Sequence, residues 1–206
     1  MEIYAETIAE AWEKSIIALV KLNSVFLPTE KGIRAKEISN MIIHIENPEK
    51  EPRISQKYCF PKVFTKQYIN DYFSEYSKME TPYSRISKVG KGEINQIDSV
   101  ISKLKTQWYT RRAIISIWVP QEDLDSNYPP CICMFQFMIR DKKLVMTAIL
   151  RSNDAWLSAL PDMIMISNIQ RKIALELNLD CGEYVHHAIS YHIYDHDYSM
   201  VVDGFR

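Results

Sequence analysis

Glycine is scarce, at five in 206 residues, and no Gly/Ser tract, repeat or low-complexity segment interrupts the chain. Nothing therefore marks a linker, and the length suits one domain that buries about 70% of its unfolded surface. Charge of either sign is not in excess: the formal net charge is -1, which gives no general attraction to nucleic acid or to a membrane surface. Any anion site must be local. No run of 18 apolar residues exists to span a bilayer. The segment from Met1 to Asn23 carries Glu2, Glu6, Glu10 and Glu13, unlike the basic start and continuous apolar core of a signal peptide. Four cysteines (Cys59, Cys131, Cys133, Cys181) at irregular spacing do not form a disulfide framework, and a reducing cytoplasm is the expected setting.

Apolar periodicity supplies the elements. Ile8, Ala11, Trp12, Ser15, Ile16, Leu19 and Val20 recur at helical spacing, as do Ile94, Ile97, Val100, Ile101 and Leu104. Further helices are expected from Phe64 to Tyr76 and from Met163 to Leu177. Strands are expected at 41–45, at 113–119 before Pro120, at Ile132 to Ile139, at Leu144 to Leu150 and at Tyr184 to Tyr194, the third and fourth forming a hairpin across 140–143. The fold class is α+β, a single domain with a mixed, mostly antiparallel sheet and helices on one face. The other face then needs a cover, and a second copy in a sheet-to-sheet homodimer is the common solution.

An ordered series of polar groups lies on these elements. Cys131 follows Tyr128-Pro129-Pro130 and begins a strand, so a stiff backbone holds its thiol at a sheet end. A free thiol is only a few per cent thiolate at neutral pH, and neighbouring arginines raise that fraction. A cysteine in such a place also serves as a small buried hydrophobe. Cys131-Ile132-Cys133 alternation sends both thiols to one face, but no histidine cluster accompanies them, so no metal site is expected. Arg151 and Ser152 lie between a strand and a helix, where guanidinium, hydroxyl and backbone donors converge on a phosphate. Arg111 and Arg112 add two cations or a solvated surface pair. His192 and Tyr194 alternate onto one strand face, where both could bond a ribose hydroxyl.

Together, Tyr-Pro-Pro-Cys at 128–131, Phe135-Gln136-Phe137, Arg151-Ser152-Asn153-Asp154 and His192-Ile193-Tyr194 resemble the thymidylate synthase superfamily. The resemblance covers roughly Arg111 to Asp197, with Tyr83 in Pro82-Tyr83-Ser84 also fitting, and looks most like a compact archaeal-type branch. It implies that Cys131 attacks C6 of a pyrimidine nucleoside monophosphate, whose C5 then takes a one-carbon unit from 5,10-methylenetetrahydrofolate. Arg151 and Ser152 would bind the 5′-phosphate, with Arg111 and Arg112 arriving from the partner subunit. Tyr83 would assist proton removal, Asp154 would contact the folate, and His192 with Tyr194 would hold the 3′-hydroxyl.

One departure bears on the substrate. In ungapped register from Arg151 to His192, thymidylate synthases place asparagine where this chain has Asp162. Uracil offers an N3–H donor and an O4 acceptor, which an amide complements; cytosine reverses both. A carboxyl group accepts from the cytosine amino group and shares a proton with N3, so Asp162 favours cytosine by a factor set by about 1–3 kcal/mol of buried mismatch. The same change marks the cytidylate and deoxycytidylate hydroxymethylases, which the chain then resembles. Two other readings compete: Asp162 as an N-cap before the apolar run from Met163, or a compensating gap that puts Met163 in the reading position. With either, a compact enzyme methylating dUMP to dTMP is expected, and a non-catalytic nucleotide-binding relative is the reading from another class. Ile132 stands where larger synthases often have histidine. The catalytic glutamate of the family has candidates in Asp71, Glu75 and Glu80, and the first-loop phosphate cation in Lys31 and Arg34.

Overall fold

A computed structural model of the chain describes residues 1–30, 32–59, 85–86 and 94–205. The expected helix from Phe64 to Tyr76 lies outside the described residues, as do Lys31, Asp71, Glu75, Glu80 and Tyr83. The described elements are β1 (Glu2–Ala5), α1 (Ile8–Lys21), β2 (Leu27–Pro28), β3 (Arg34–Ile45), α2 (Gln96–Thr106), β4 (Ala113–Ser116), α3 (Pro120–Asp123), β5 (Ile132–Arg140), β6 (Lys143–Asp154), α4 (Ala159–Glu176), β7 (Asp180–Tyr194) and α5 (Asp195–Gly204). Among these, the strands form one open sheet in the order β1-β3-β7-β6-β5-β4, with β2 paired to β3. Two pairings, β1 with β3 and β6 with β7, are parallel; the others are antiparallel. The sheet is thus mixed and mostly antiparallel, as expected.

Local chemistry accounts for the element ends. Thr7 caps α1 by accepting from the Glu10 N–H, and Asn95 caps α2 by accepting from Ile97 and Asp98. The β5–β6 hairpin turns on Asp141 and Lys142 at φ 48° and 61°, two consecutive left-handed residues whose twist matches the strands. Several boundaries differ from the sequence reading. β6 continues to Asp154, so Arg151 and Ser152 belong to the strand and do not follow it, and β7 starts at Asp180. β3 starts at Arg34, because its polar first half is paired to β7. β4 ends at Ser116, and Pro120 opens α3. α4 begins at Ala159, since Pro161 is tolerated within a first turn whose N–H groups have no helical acceptor.

One sheet face is dry. Leu144, Met146, Ala148 and Leu150 of β6 are buried, as are Tyr184, His186 and Ala188 of β7, and α1 and α4 lie against this side with Trp12, Ile16, Met163, Ile166 and Ile173 in the core. On the opposite face Val145, Thr147, Ile149, Val185 and His187 are only half-buried, and Ile114 and Ile189 are 44% and 46% exposed. No described helix is long and apolar enough to cross a membrane.

Candidate functional site

The hairpin brings the start of β5 beside the end of β6, and the separated motifs meet there. Arg151 N–H donates to the Cys131 carbonyl at 2.8 Å, while its guanidinium grips the preceding loop: Nε to Pro130 O at 3.0 Å and Nη2 to Pro129 O at 2.8 Å. Nη2 also lies 3.9 Å from Cys131 Sγ, and Ser152 Oγ lies 3.5 Å from the same sulfur. Nη1 donates to Ser152 Oγ at 3.3 Å. An exposed thiol thus faces two hydrogen-bond donors. The expected alternation of Cys131 and Cys133 is interrupted: the register shifts between Ile132 and Met134, a β-bulge that lets Ile132 and Phe135 both face the core. Cys133 is half-buried, and burial pushes its thiol up. Among the described residues, no group of three or more metal-ligating side chains stands together.

The parallel pairing of β6 with β7 sets Asp154 opposite His192, and Ala155 N–H donates to His192 O at 2.7 Å. His192 and Tyr194 share a strand face with ring centroids 5.0 Å apart, edge to face. Burial raises the Tyr194 phenol above its usual range, and Asp154 adds to this. Asp154 Oδ1 accepts from the N–H groups of Trp156 and Leu157, both at 3.0 Å. Burial nonetheless holds the Asp154 carboxyl above its ordinary pKa, against those amides and His192, which pull it down. From α1, Trp12 Nε1 donates to Ala155 O at 2.7 Å and pins this corner to the core. Arg34, at the start of β3, pairs with Asp195 at 3.1 Å beside Tyr194.

Asp162 is in the first turn of α4 and is 4% exposed. It is not the N-cap: Ser158 holds that position, and Asp162 N–H donates to Ser158 O at 2.8 Å as a helical residue. Instead the Asp162 carboxyl enters a buried chain. Asn153 Nδ2 donates to its Oδ2 at 2.8 Å, Asn153 Oδ1 is 2.9 Å from His186 Nε2, and His186 Nδ1 is 2.7 Å from the Tyr184 hydroxyl. Sequence reasoning missed this chain. The readable signal was polar His186 two residues from Tyr184 on an otherwise apolar strand face, since a buried imidazole requires partners.

Arg111 and Arg112 do not join this cluster. Both are exposed, and pairing sets Ala113 opposite Phe137, so they lie near the far end of β5, about 20 Å along the strand from Cys131 at ~3.3 Å per residue. Their backbone carbonyls accept from Gln136 Nε2 and Lys103 Nζ.

Residues 35–203 match the thymidylate synthase family profile. Three archaeal relatives, each named "Putative thymidylate synthase", align over nearly their whole length. The protein of Methanocaldococcus jannaschii is 34% identical across 97% of this chain and 93% of its own. The Methanosarcina mazei protein is 29% identical, covering 97% and 92%. The Methanothermobacter marburgensis protein is 25% identical, covering 94% and 93%.

Proposed function

Since the chain belongs to the thymidylate synthase family, we propose that it is a homodimeric transferase that hydroxymethylates C5 of a cytidylate, CMP or dCMP. The observation that carries this reading is the buried Asp162 carboxyl, which accepts from Asn153 and does not cap its helix. A carboxylate in that setting meets the cytosine amino group as acceptor to donor, whereas uracil O4 would meet it as acceptor to acceptor. The family uses 5,10-methylenetetrahydrofolate as its one-carbon donor. Asp154 suits that partner: Oδ1 is taken by two backbone amides, and the carboxyl sits next to the nucleotide-facing strand end with its acceptor chemistry retained.

In this reading the Cys131 thiolate adds to C6, and the C5–C6 π pair becomes nucleophilic at C5, which bonds the supplied carbon. Loss of the C5 proton, assisted by Tyr83, then allows the C–N bond to the folate to break with its electrons going to nitrogen, which takes up a proton as it leaves, and an exocyclic methylene remains at C5. Water adds its hydroxyl there, the electrons return to C5–C6, and sulfur departs; the water proton balances the thiolate. Arg151 and Ser152 bind the 5′-phosphate, and His192 with Tyr194 bind the sugar hydroxyl. Arg111 and Arg112 serve the other subunit, which agrees with their distance from Cys131 in their own chain. The half-buried apolar sheet face is the dimer contact.

Incubation with CMP, dCMP or dUMP and methylenetetrahydrofolate, followed by product masses, tests the proposal; conversion of dUMP to dTMP alone would sink it. That second reading, a compact thymidylate synthase, draws on the names of the relatives. Tritium release from C5-labelled nucleotide, lost in Cys131→Ser, excludes a non-catalytic binder.

A further inference from the structure

We propose that Asn153, His186 and Tyr184 are positioning residues for Asp162, a one-way hydrogen-bond chain that fixes its carboxyl as an acceptor and thereby sets the choice between cytosine and uracil. The inference rests on the reading of Asp162 given above.

The direction of the chain follows from Ser158. Its Oγ donates to Asp154 O at 3.3 Å, so its single hydrogen is used, and toward Asn153, 3.2 Å away, it can only accept. The Asn153 atom facing both Ser158 Oγ and Asp162 Oδ2 must therefore be the amide nitrogen, with one hydrogen for each. Its oxygen then faces His186, which requires the proton on Nε2 and leaves Nδ1 to accept from the Tyr184 hydroxyl. Donation runs from Tyr184 to His186 to Asn153 to Asp162. Burial keeps the imidazole neutral, at a pKa of about 3, so only one ring nitrogen carries a proton and the sense cannot reverse at that link without reversing the whole chain. The reversed chain would demand a protonated Asp162 donating to Asn153 and would leave Ser158 Oγ facing a second acceptor.

The arrangement occupies the dry space under α4, where Asn153 is 1% exposed and His186 and Tyr184 are fully buried. A carboxyl held in this way has one rotation and one hydrogen-bond polarity. Without the Asn153 donor it loses one constraint on its orientation and takes up a proton more readily, and a protonated carboxyl can donate to uracil O4. The chain is thus a determinant of specificity that never touches the base.

The test compares kcat/KM for the cytidylate and for dUMP in wild type, Asp162→Asn, Asn153→Ala, His186→Phe and His186→Gln. The ratio is taken on one preparation, so a reduced folded fraction cancels and a purely structural role leaves it unmoved. The ratio is expected to fall about tenfold toward uracil in Asn153→Ala and His186→Phe, the change carried in kcat/KM for the cytidylate, and to stay within about twofold in His186→Gln, whose amide N–H can replace the Nε2 donor. A ratio that shifts in Asp162→Asn but not in Asn153→Ala or His186→Phe overturns the positioning role while the cytidylate reading stands. An unchanged ratio in Asp162→Asn overturns that reading, and this inference with it.

Discussion

Replacing His186 with phenylalanine exposes how much of the acid sensitivity of the fold resides in one ring. The imidazole is wholly buried, and burial first, then the charge of His187, lowers its pKa from 6.5 to about 3. Above pH 6.5 the ring is neutral folded or unfolded and contributes no pH dependence. Between pH 6.5 and 3 the unfolded chain binds a proton that the folded chain refuses, so stability falls with falling pH at up to ~1.4 kcal/mol per unit. By pH 5 this one group costs about 2 kcal/mol. The phenylalanine variant escapes that loss but strands the Tyr184 hydroxyl and the Asn153 carbonyl oxygen, at about 1–3 kcal/mol each. The variant should therefore be the less stable protein at pH 7.5, with the gap narrowing by about 2 kcal/mol at pH 5. Urea unfolding at both pH values, at one protein concentration, measures the gap. A gap that is constant or wider at pH 5 refutes the assignment of a neutral buried imidazole.

Other outcomes follow from the site. Asp162→Asn should turn preference toward dUMP by about tenfold or more, read as the ratio of kcat/KM values. Cys131→Ser should abolish tritium release from C5-labelled nucleotide while nucleotide binding survives within about tenfold, since the phosphate and sugar contacts remain. If Arg111 and Arg112 serve the opposite subunit, mixing equal amounts of Cys131→Ser and Arg112→Ala protomers, each inactive alone, should restore about a quarter of wild-type activity, because half the dimers carry one intact site. No recovery after denaturation and joint refolding counts against the shared site.

Much of the fold was legible because its pattern is local. The β5–β6 hairpin announced itself through two apolar runs around a charged turn, and that hairpin carries Cys131 to Arg151 and Ser152. β1 escaped notice since four residues next to a helix start give no period, and only its pairing with β3 defines it. The early start of α4 was hidden by Pro161, which reads as a breaker yet sits where its missing N–H costs nothing. That shift matters, because it moves Asp162 from the cap into the first turn. The buried chain from Tyr184 to Asp162 joins residues 22 positions apart through packing, which no linear pattern records. Residues 31, 71, 75, 80 and 83, expected to supply phosphate, acid or proton-transfer roles, lie outside the described residues.

Arg151 holds the two proline carbonyls with the same guanidinium that faces the cysteine sulfur. If Arg151 takes the 5′-phosphate as proposed, anchoring the substrate and aiming the nucleophile become one mechanical act. A phosphate drawn onto this group would then pull on the loop that carries Cys131, and the sulfur would be registered against the ring when the far end of the nucleotide is seated. Fragments lacking the phosphate would then be poor substrates in turnover as well as in affinity, and a free pyrimidine base could drift past the thiol without being attacked.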